Sequence, residues 1–373
     1  MKIIHFSDTH LGFSDLDVLD EEGVNRREAD FYKAFSDVID AVLDTRPDYV
    51  IHTGDLFHRA SPSNRAITFA LTQLKRIEQV KIPFVIIAGN HSTPRTSTSS
   101  PILQALKTLD NVHAVFEQRY EKVAFGDVVF HALPHVNDER IIPEELERVE
   151  ENIEEGKKNI LMMHCSVGAH YLMQEFGEWV YPKAKEYLFE KMDYVALGHW
   201  HGFGRVGKFP NVYYSGSTER TSSSDRRSDK GYALLNLDGG LAVELKTIAL
   251  RPSLRFTIDT QNYGEAVAGL DLSGTEDALV EVVLTNLSTA SSIDITNREI
   301  SEIFAGAMHV KVKREFRAAE GSAAPEDIES LSLESYFVSH ILESVEEEAE
   351  QARLSAKAKE LFRLYEEGDD DSL

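Results

Sequence analysis

The first twelve residues, Met1-Lys-Ile-Ile-His-Phe-Ser-Asp-Thr-His-Leu-Gly12, place a carboxylate and an imidazole directly after a short apolar run. The run at residues 3–6 reads as a buried strand, and Asp8 and His10 follow it. In an extended chain, residues two positions apart point to the same side, so these two side chains can converge on one object. An Asp-x-His sequence by itself more often marks a surface turn or a helix N-cap, so the rest of the chain must decide.

Four later strand-like runs end in the same kinds of side chain. They read Thr53-Gly-Asp-Leu-Phe-His58, Ala88-Gly-Asn-His91, Met163-His164 and Leu197-Gly-His-Trp-His201. Three of these ends have a glycine immediately before the polar residue, where the backbone can turn tightly without a Cβ. Any single histidine here is more often an ordinary core or surface residue, but five such ends in succession are hard to obtain by accident. Ligands of open α/β sheets bind outside the carboxyl ends of the strands, so these ends predict one shared site.

The pattern makes seven side chains candidate metal ligands: Asp8, His10, Asp55, Asn90, His164, His199 and His201. Carboxylate, amide oxygen and imidazole together suit a pair of ions such as Mn²⁺, Fe²⁺ or Zn²⁺ better than Mg²⁺ or Ca²⁺. The absence of thiolate disfavours a structural zinc site. Two ions about 3.5–4 Å apart form a clamp for phosphoester hydrolysis. We expect Asp55 to bridge the ions, and His58 and His91 to stabilise charge or protonate the leaving oxygen without binding metal.

The composition is typical of a soluble globular protein. The 373 residues are too many for one ordinary core, which predicts two or three domains. The sequence contains no run of 18 apolar residues, which a membrane-spanning helix would need. Its N-terminus reads as a strand rather than a signal peptide. The single cysteine, Cys165, fits a reducing compartment, so we expect a cytoplasmic protein with no membrane partner.

The charge is strongly acidic but unevenly distributed. A formal net charge of −24 argues against a simple nucleic-acid coat, yet residues 137–155 and 326–373 together carry −18 of it. Basic residues gather in short groups: Arg59 and Arg65, then Arg226, Arg227 and Lys230, and finally Lys311, Lys313, Arg314 and Arg317. The overall charge therefore does not exclude a polyanionic substrate.

Alternating strand and helix patterns predict an α/β domain over residues 1–250, with a mixed or antiparallel later half. Its helices are predicted at residues 25–45, 63–79 and 143–155. Besides the five runs above, strands are predicted at residues 128–132, 211–215 and 231–237, and beyond this domain at residues 279–284 and 308–312. The pattern of residues 251–320 predicts a small α+β domain. In residues 326–366 the apolar residues have the spacing of a helix and form a thin apolar stripe. That last segment is equally compatible with a helical hairpin packed on its own protein and with a partner-binding module. Residues 367–373 form an acidic tail.

The ordered elements D-x-H, G-D-x-x-H, G-N-H, a strand-end His and G-H-x-H resemble the calcineurin-like metallophosphoesterase superfamily. The resemblance is closest to the SbcD-like nucleases, the meiotic-recombination-eleven type enzymes of double-strand-break repair. It is carried by residues 7–12, by residues 54–58 with Pro62-Ser63 behind them, and by Tyr214-Ser-Gly-Ser-Thr-Glu-Arg220. It covers residues 1–250, and it implies a β-sandwich flanked by helices, followed by a capping domain and a C-terminal helical segment.

The resemblance also implies a role for each candidate residue. One ion would be held by Asp8, His10, Asp55 and His201, and the second by Asp55, Asn90, His164 and His199. His91 would act on the leaving group or orient the phosphate, and His58 would assist. The family hydrolyses DNA phosphodiesters with two Mn²⁺ ions, combining 3′-to-5′ exonuclease and single-strand endonuclease activity.

Two partner proteins follow from the resemblance. The family forms a homodimer. The candidate interface residues form two apolar stripes: Ile67, Leu71 and Leu74, and Ile102, Leu103 and Leu106. Alternatively, both stripes face the core of their own chain. It also works with an SMC-like, SbcC-type coiled-coil ATPase that grips the C-terminal helices, which favours partner binding for residues 326–366. A prokaryotic member would be associated with the nucleoid.

One position departs from the family pattern. An acidic residue usually follows G-N-H, whereas here Ser92 follows His91. An acid would favour a charged imidazolium; serine offers a hydrogen bond and no charge, so we expect a modest loss of turnover.

Two alternative functions stay open. A small-molecule or cyclic-nucleotide phosphodiesterase would keep the same metal centre, although the extra domains and the basic groups count against it. An inactive scaffold for an ATPase is disfavoured because all seven ligand types are present.

Overall fold

The structure, a computed structural model, describes residues 1–95, 100–168, 179–288 and 294–317, together with positions 353, 354 and 357. The predicted helical segment at residues 326–366 and the acidic tail therefore lie outside the described residues, except for those three positions. Within the described residues, no helix is long and apolar enough to cross a membrane.

Among the described residues, strands and α-helices alternate over residues 2–87, whereas many of the later strands follow one another without an α-helix between them. The strands are β1 (Lys2–Phe6), β2 (Tyr49–His52), β3 (Phe84–Ile87), β4 (Val112–Val115), β5 (Glu121–Phe125), β6 (Val128–Leu133), β7 (Lys158–His164), β8 (Tyr194–Gly198), β9 (Gly204–Arg205), β10 (Val212–Tyr214), β11 (Gly231–Asn236), β12 (Ala242–Thr247), β13 (Ser253–Asp259), β14 (Leu279–Leu287) and β15 (His309–Phe316). The α-helices are α1 (Arg26–Thr45), α2 (Asn64–Gln79), α3 (Ile142–Glu151), α4 (Tyr263–Ala268) and α5 (Asn297–Ile303). Short 3₁₀ segments lie at Ile102–Thr108, Glu139–Ile141, Lys183–Lys191, Ser223–Arg227 and Thr260–Asn262.

Two six-stranded sheets contain most of the strands. The first has the order β12-β11-β1-β2-β3-β4 and the second the order β5-β6-β7-β8-β10-β9. Strands β1 to β4 run parallel to one another, as do β6, β7, β8 and β10. The carboxyl ends of these parallel strands therefore gather at one edge of each sheet. A separate three-stranded sheet has the order β13-β14-β15.

Alternation along β1 shows how the layers form. Ile3 belongs to the apolar cluster between the two sheets, whereas Ile4 and Phe6 belong to the cluster that contains the buried faces of α1 and α2. Successive side chains of a strand point to opposite faces, so one strand serves both cores. A third cluster packs α3 against the second sheet. The result is two stacked sheets flanked by helices, which confirms the predicted fold class.

The ends of the first two helices follow from capping residues. The Asn25 side chain accepts hydrogen bonds from the backbone N–H groups of Arg27 and Glu28, and the Ser63 side chain accepts one from Ala66. These caps satisfy backbone donors that the first helical turn leaves unpaired. The helices predicted at residues 25–45 and 63–79 therefore start one residue later, directly after their caps.

The strands that the sequence did not predict lie at sheet edges. They are β4, β5, β9 and β12, which end the two large sheets, and β13, which ends the small one. An edge strand has one unpaired side and need not be buried on both faces, so it lacks the continuous apolar run of a central parallel strand. Strand β12 shows this, since none of its residues is fully buried.

The chain divides into two compact units. The first contains Met1–Ile258, Tyr263–Val283 and Ile295–Lys313, and the second contains Asp259–Asn262, Leu284–Asp294 and Arg314–Leu373. In the second unit, Thr260 donates a hydrogen bond to the carbonyl of Thr285 at 2.9 Å. The predicted boundaries at residues 250, 320 and 366 stay predictions.

Candidate metal centre

The predicted ligands all follow parallel strands of the two sheets. In the first sheet, Asp8 and His10 follow β1, Asp55 follows β2 and Asn90 follows β3. In the second sheet, β7 ends at His164, and His199 and His201 follow β8. Because both sheets contribute through the carboxyl ends of their strands, the site lies where these two edges meet.

Four of these residues have an unusual backbone conformation. The φ angles are +50° at Asp8, +42° at His10, +56° at Asp55 and +94° at His199. Residues with a Cβ rarely adopt this left-handed region, which costs roughly 1–2 kcal/mol each. The convergence of Asp8 and His10 was therefore predicted for the wrong reason: β1 ends at Phe6, and the chain beyond it turns rather than continuing extended.

Asp8, His10 and His201 form one group of possible metal ligands, with donor atoms within 4.8 Å of one another. The Nε2 atoms of His10 and His201 are 3.2 Å apart. Two nitrogens bound to the same first-row ion, each at about 2.1 Å, lie about 3.0 Å apart when they enclose a right angle. The observed spacing therefore fits two imidazoles that share one cation.

Asp8, Asp55 and His164 form a second such group. The Nε2 atom of His164 lies 3.2 Å from an oxygen of Asp55 and 2.9 Å from the amide oxygen of Asn90. The backbone N–H of His199 donates to the Asp8 carboxylate at 3.0 Å, and its ring lies 5.3 Å from that of His164. All seven candidates are thus gathered in one region, while their division between two ions stays a prediction.

Comparison with known proteins assigns the family. The family model of calcineurin-like phosphoesterases matches residues 1–203. The chain belongs to the calcineurin-like phosphoesterase family. The phosphoesterase is 34% identical over 277 residues to the DNA double-strand break repair protein Mre11 of Thermoplasma acidophilum, covering 70% of this chain and 69% of that protein. It is 28% identical to the DNA double-strand break repair protein Mre11 of Methanococcus maripaludis, covering 80% of this chain and 82% of that protein.

Among solved structures, a dimetal phosphatase from Danio rerio aligns with a TM-score of 0.43 and 11% identity, covering 66% of this chain and 96% of that one. The family match and the Mre11 relatives confirm the predicted recognition and the predicted enzyme class, a metal-dependent phosphoesterase.

Glycines let the strand ends of the phosphoesterase approach one another closely. A Cβ on Gly198 would overlap the carbonyl oxygen of Thr53 and lie 2.9 Å from Nδ1 of His164. A Cβ on Gly89 would overlap the Asp55 carboxylate. Glycine therefore precedes His199 and Asn90 mainly because neighbouring backbone and side-chain atoms leave no space for a Cβ, and less because the backbone turns tightly there.

Charges within the centre are strongly coupled. Burial opposes protonation of His164, but the adjacent Asp55 carboxylate outweighs it and raises the pKa of His164 to about 9. Burial acts in the opposite sense on Asp55, and His164 in turn holds the pKa of Asp55 well below its usual value. In the metal-free chain these two residues form an imidazolium–carboxylate pair, and a cation bound there would replace the proton.

His58 and His91 lie side by side next to the ligand groups. Nδ1 of His91 donates to the backbone carbonyl of His58 at 2.8 Å, and the two rings stack 5.2 Å apart. Burial, reinforced by the nearby His91 and Arg59, lowers the pKa of His58 to about 4, so His58 is neutral at pH 7. Nitrogens of His10, His58 and His91 also lie within 4.8 Å of one another, so the expectation that His58 and His91 bind no metal stays untested.

Ser92 does not take the place of an acid. Its side chain is buried, and its hydroxyl has no hydrogen-bond partner among the described residues. The expected hydrogen bond from Ser92 is therefore absent, and the His58 carbonyl orients the His91 ring instead.

Five of the seven predicted ligands, His10, Asp55, Asn90, His199 and His201, line a cleft of about 360 Å³. Besides predicted residues, its walls include Phe13, Trp200, Thr221, Ser222 and Asp225. Thr221 directly follows the Tyr214–Arg220 motif, and this proximity is the one signal in the sequence that could have found it.

Several of the basic residues grouped by the sequence form ion pairs within the protein. The Lys230 side chain is fully buried and lies 3.3 Å from Asp225. Arg226 and Lys313 both pair with Glu281, at 3.3 and 2.7 Å. Ion pairs within the protein therefore neutralise part of the positive charge that the basic groups in the sequence would offer to DNA.

Proposed function

We propose that this phosphoesterase is a DNA nuclease subunit of a double-strand-break repair complex, with 3′-to-5′ exonuclease and single-strand endonuclease activity. The observation that carries the proposal is the convergence of the seven candidate metal ligands, five of which line one cleft, in a chain whose relatives are named double-strand break repair proteins. Donors of mixed nitrogen and oxygen type support two Mn²⁺ ions as the cofactor. Two bound divalent ions would polarise the phosphate and activate the attacking water.

The protein's own side chains have distinct tasks in this hydrolysis. Asp55 lies 3.2 Å from His164 and accepts a hydrogen bond from the backbone N–H of His91 at 2.9 Å, so it can tie the candidate metal ligands to the imidazole that handles protons. With Nδ1 of His91 committed to the His58 carbonyl, Nε2 is the atom that would pass a proton to the leaving oxygen. Neutral His58 would hold His91 in place through that carbonyl and the ring stack.

The surroundings of the cleft favour a polymer over a small phosphodiester. The cleft shares His58 with a neighbouring cleft of about 520 Å³ that contains Arg59, together with Arg65, which pairs with Glu28 at 3.3 Å. It shares Thr221 with another, of about 120 Å³, that contains Arg220 and Lys311. Cations in clefts that continue beyond the metal centre would contact phosphates on either side of a scissile bond. A cyclic nucleotide would need only the central cleft.

We also propose a homodimer and an SbcC-type ATPase partner, in the cytoplasm and, in a prokaryote, at the nucleoid. Of the candidate dimer residues, Leu74, Leu103 and Leu106 are buried in the core. Only the half-buried Ile67, Leu71 and Ile102 could therefore add area to a dimer interface. Sedimentation of the full chain alone would show whether it is a dimer. Sedimentation of the full chain and of a chain ending at residue 320, each mixed with the ATPase, would show whether the C-terminal segment is needed for ATPase binding.

Hydrolysis assays test the nuclease proposal directly. Labelled single- and double-stranded DNA and bis-p-nitrophenyl phosphate would be incubated with the full chain and Mn²⁺, Mg²⁺ or a chelator. The His91→Ala variant should lose about 10²–10⁴-fold in rate because the proton donor is missing. The exposed His113→Ala variant is the matched control and should cleave like the parent.

Each outcome separates the candidate functions. Manganese-dependent DNA cleavage that is lost in His91→Ala supports the nuclease. Cleavage of the small ester with DNA untouched, also after addition of the ATPase, favours the small-molecule phosphodiesterase. No turnover of either substrate leaves the scaffold function.

A further inference from the structure

A buried lysine lies behind the candidate metal centre, outside the set of proposed ligands. The side chain of Lys230, just before β11, has no exposed area. Its ammonium group donates to the backbone carbonyl of His201 at 2.7 Å and lies 3.3 Å from an oxygen of Asp225. A buried charge is costly unless it is paired and hydrogen-bonded, so these two partners account for the position of Lys230.

Asp225 connects this lysine to the imidazole of His201. One carboxylate oxygen faces Lys230, while the other accepts hydrogen bonds from the backbone N–H and the hydroxyl of Thr221, both at 3.2 Å. The Thr221 hydroxyl also lies 2.9 Å from Nδ1 of His201. Its single proton is directed to Asp225, so the hydroxyl oxygen must accept from Nδ1–H. The Asp225 oxygen itself is 3.6 Å from the same nitrogen.

This arrangement selects one tautomer of His201. With the proton on Nδ1, the lone pair of the ring is on Nε2, the atom that lies 3.2 Å from Nε2 of His10. Two other imidazoles of the centre are held differently. Nδ1 of His164 faces the uncharged carbonyl of Thr53 at 2.7 Å, and Nδ1 of His10 has no hydrogen-bond partner among the described residues.

We propose that Thr221, Asp225 and Lys230 are positioning residues that hold His201 ready to bind a metal ion. The inference rests on the proposed metal centre and adds three residues that do not themselves bind metal. Asp225 supplies negative charge that strengthens the donor atom of His201 through the Thr221 hydroxyl. Lys230 fixes both the carboxylate and the His201 backbone. Partners of this kind typically change metal affinity 10–100-fold.

Calorimetric titration of the metal-free full-length chain with Mn²⁺ tests this proposal. Asp225→Asn should weaken one of two binding events 10–100-fold and leave the other unchanged, because only His201 loses its charged support. Asp225→Glu, which restores the charge, should recover much of the affinity. Asp193→Asn is the matched control, since it removes a carboxylate that pairs with Lys158 at the opposite ends of the strands; it should bind like the parent.

Thr221→Val provides a second variant if Asp225→Asn folds poorly in circular dichroism. It leaves the Asp225–Lys230 pair in place and removes only the bridging hydroxyl, so it should weaken the same binding event severalfold. Parental affinity in both Asp225→Asn and Thr221→Val would overturn the positioning role while leaving the nuclease proposal intact. A parent chain that binds no Mn²⁺ would instead overturn the proposed metal centre, and the positioning role with it.

Discussion

Replacing His5 with glutamine should make the stability of the fold less sensitive to acid. His5 is fully buried between the two sheets, with Nδ1 3.0 Å from the Tyr194 hydroxyl and Nε2 2.9 Å from the Thr53 hydroxyl. Burial, with a smaller contribution from His52, lowers the pKa of His5 from 6.5 to about 3. The folded chain therefore keeps this imidazole neutral at pH values where the unfolded chain protonates it.

The sign and size of the effect follow from linkage. Between pH 6.5 and 3 the unfolded state binds one more proton at His5 than the folded state, so stability falls as the pH falls. The slope approaches about 1.4 kcal/mol per pH unit, and between pH 7.0 and 5.0 it amounts to about 2 kcal/mol. Glutamine offers an amide donor and acceptor to the same two hydroxyls and carries no titrating proton.

Urea unfolding in chelator at pH 7.0 and 5.0 measures this difference. His164, with a pKa raised to about 9, stabilises the metal-free fold more at low pH than at high pH, but it acts equally in both chains. The comparison of His5→Gln with the parent therefore isolates His5. The loss of unfolding free energy on acidification should be about 2 kcal/mol smaller in the variant, and unchanged in an exposed His113→Gln control. Equal losses in parent and His5→Gln would refute the neutral buried imidazole.

Three further changes test the helix cap, the strand ends and the cysteine. Asn25→Ala removes the cap of α1 and should lower the unfolding free energy by about 1 kcal/mol in urea; an unchanged value would contradict the capping role. Gly198→Ala should abolish Mn²⁺ binding in calorimetry, whereas Gly204→Ala, whose Cβ would meet open space, should bind normally; equal binding would refute the close-approach argument. Cys165→Ala should keep the parental Mn²⁺ affinity because the thiol is buried in the apolar core of the second sheet, and a large loss would place it at the centre.

The sequence was most informative where chemistry and strand position coincide. Asp8, Asp55 and His164 are polar residues at the ends of buried apolar runs. Packing of a hydrophobic core does not require polar residues at several strand ends, so their repetition indicates a functional site. The central strands were predictable for a related reason, since a parallel strand covered on both faces must be apolar throughout. The edge strands lacked that signal, and β12 in particular has no fully buried residue.

Other features depend on contacts that no local pattern records. The left-handed backbone of Asp8 and His199 is imposed by the turn beyond each strand, not by residue preference. Lys230 looked like a surface cation because nothing in the sequence marks Asp225 as its partner. The environment of Ser92 likewise became apparent only from its burial, without a hydrogen-bond partner in the part of the chain that the structure describes.

The division of the ligands between two sheets has a mechanical consequence. An ion bound by both Asp8 and His201 would join chain positions that are distant in sequence and lie in separate layers, and so would act as a removable cross-link. Closing so long a loop restricts the unfolded chain, and any sliding of one layer over the other would break the link. At a metal concentration about 100 times the dissociation constant, such a link adds about 2.7 kcal/mol to the unfolding free energy. The melting temperature of the chain would thus rise with the metal concentration, before any DNA is added.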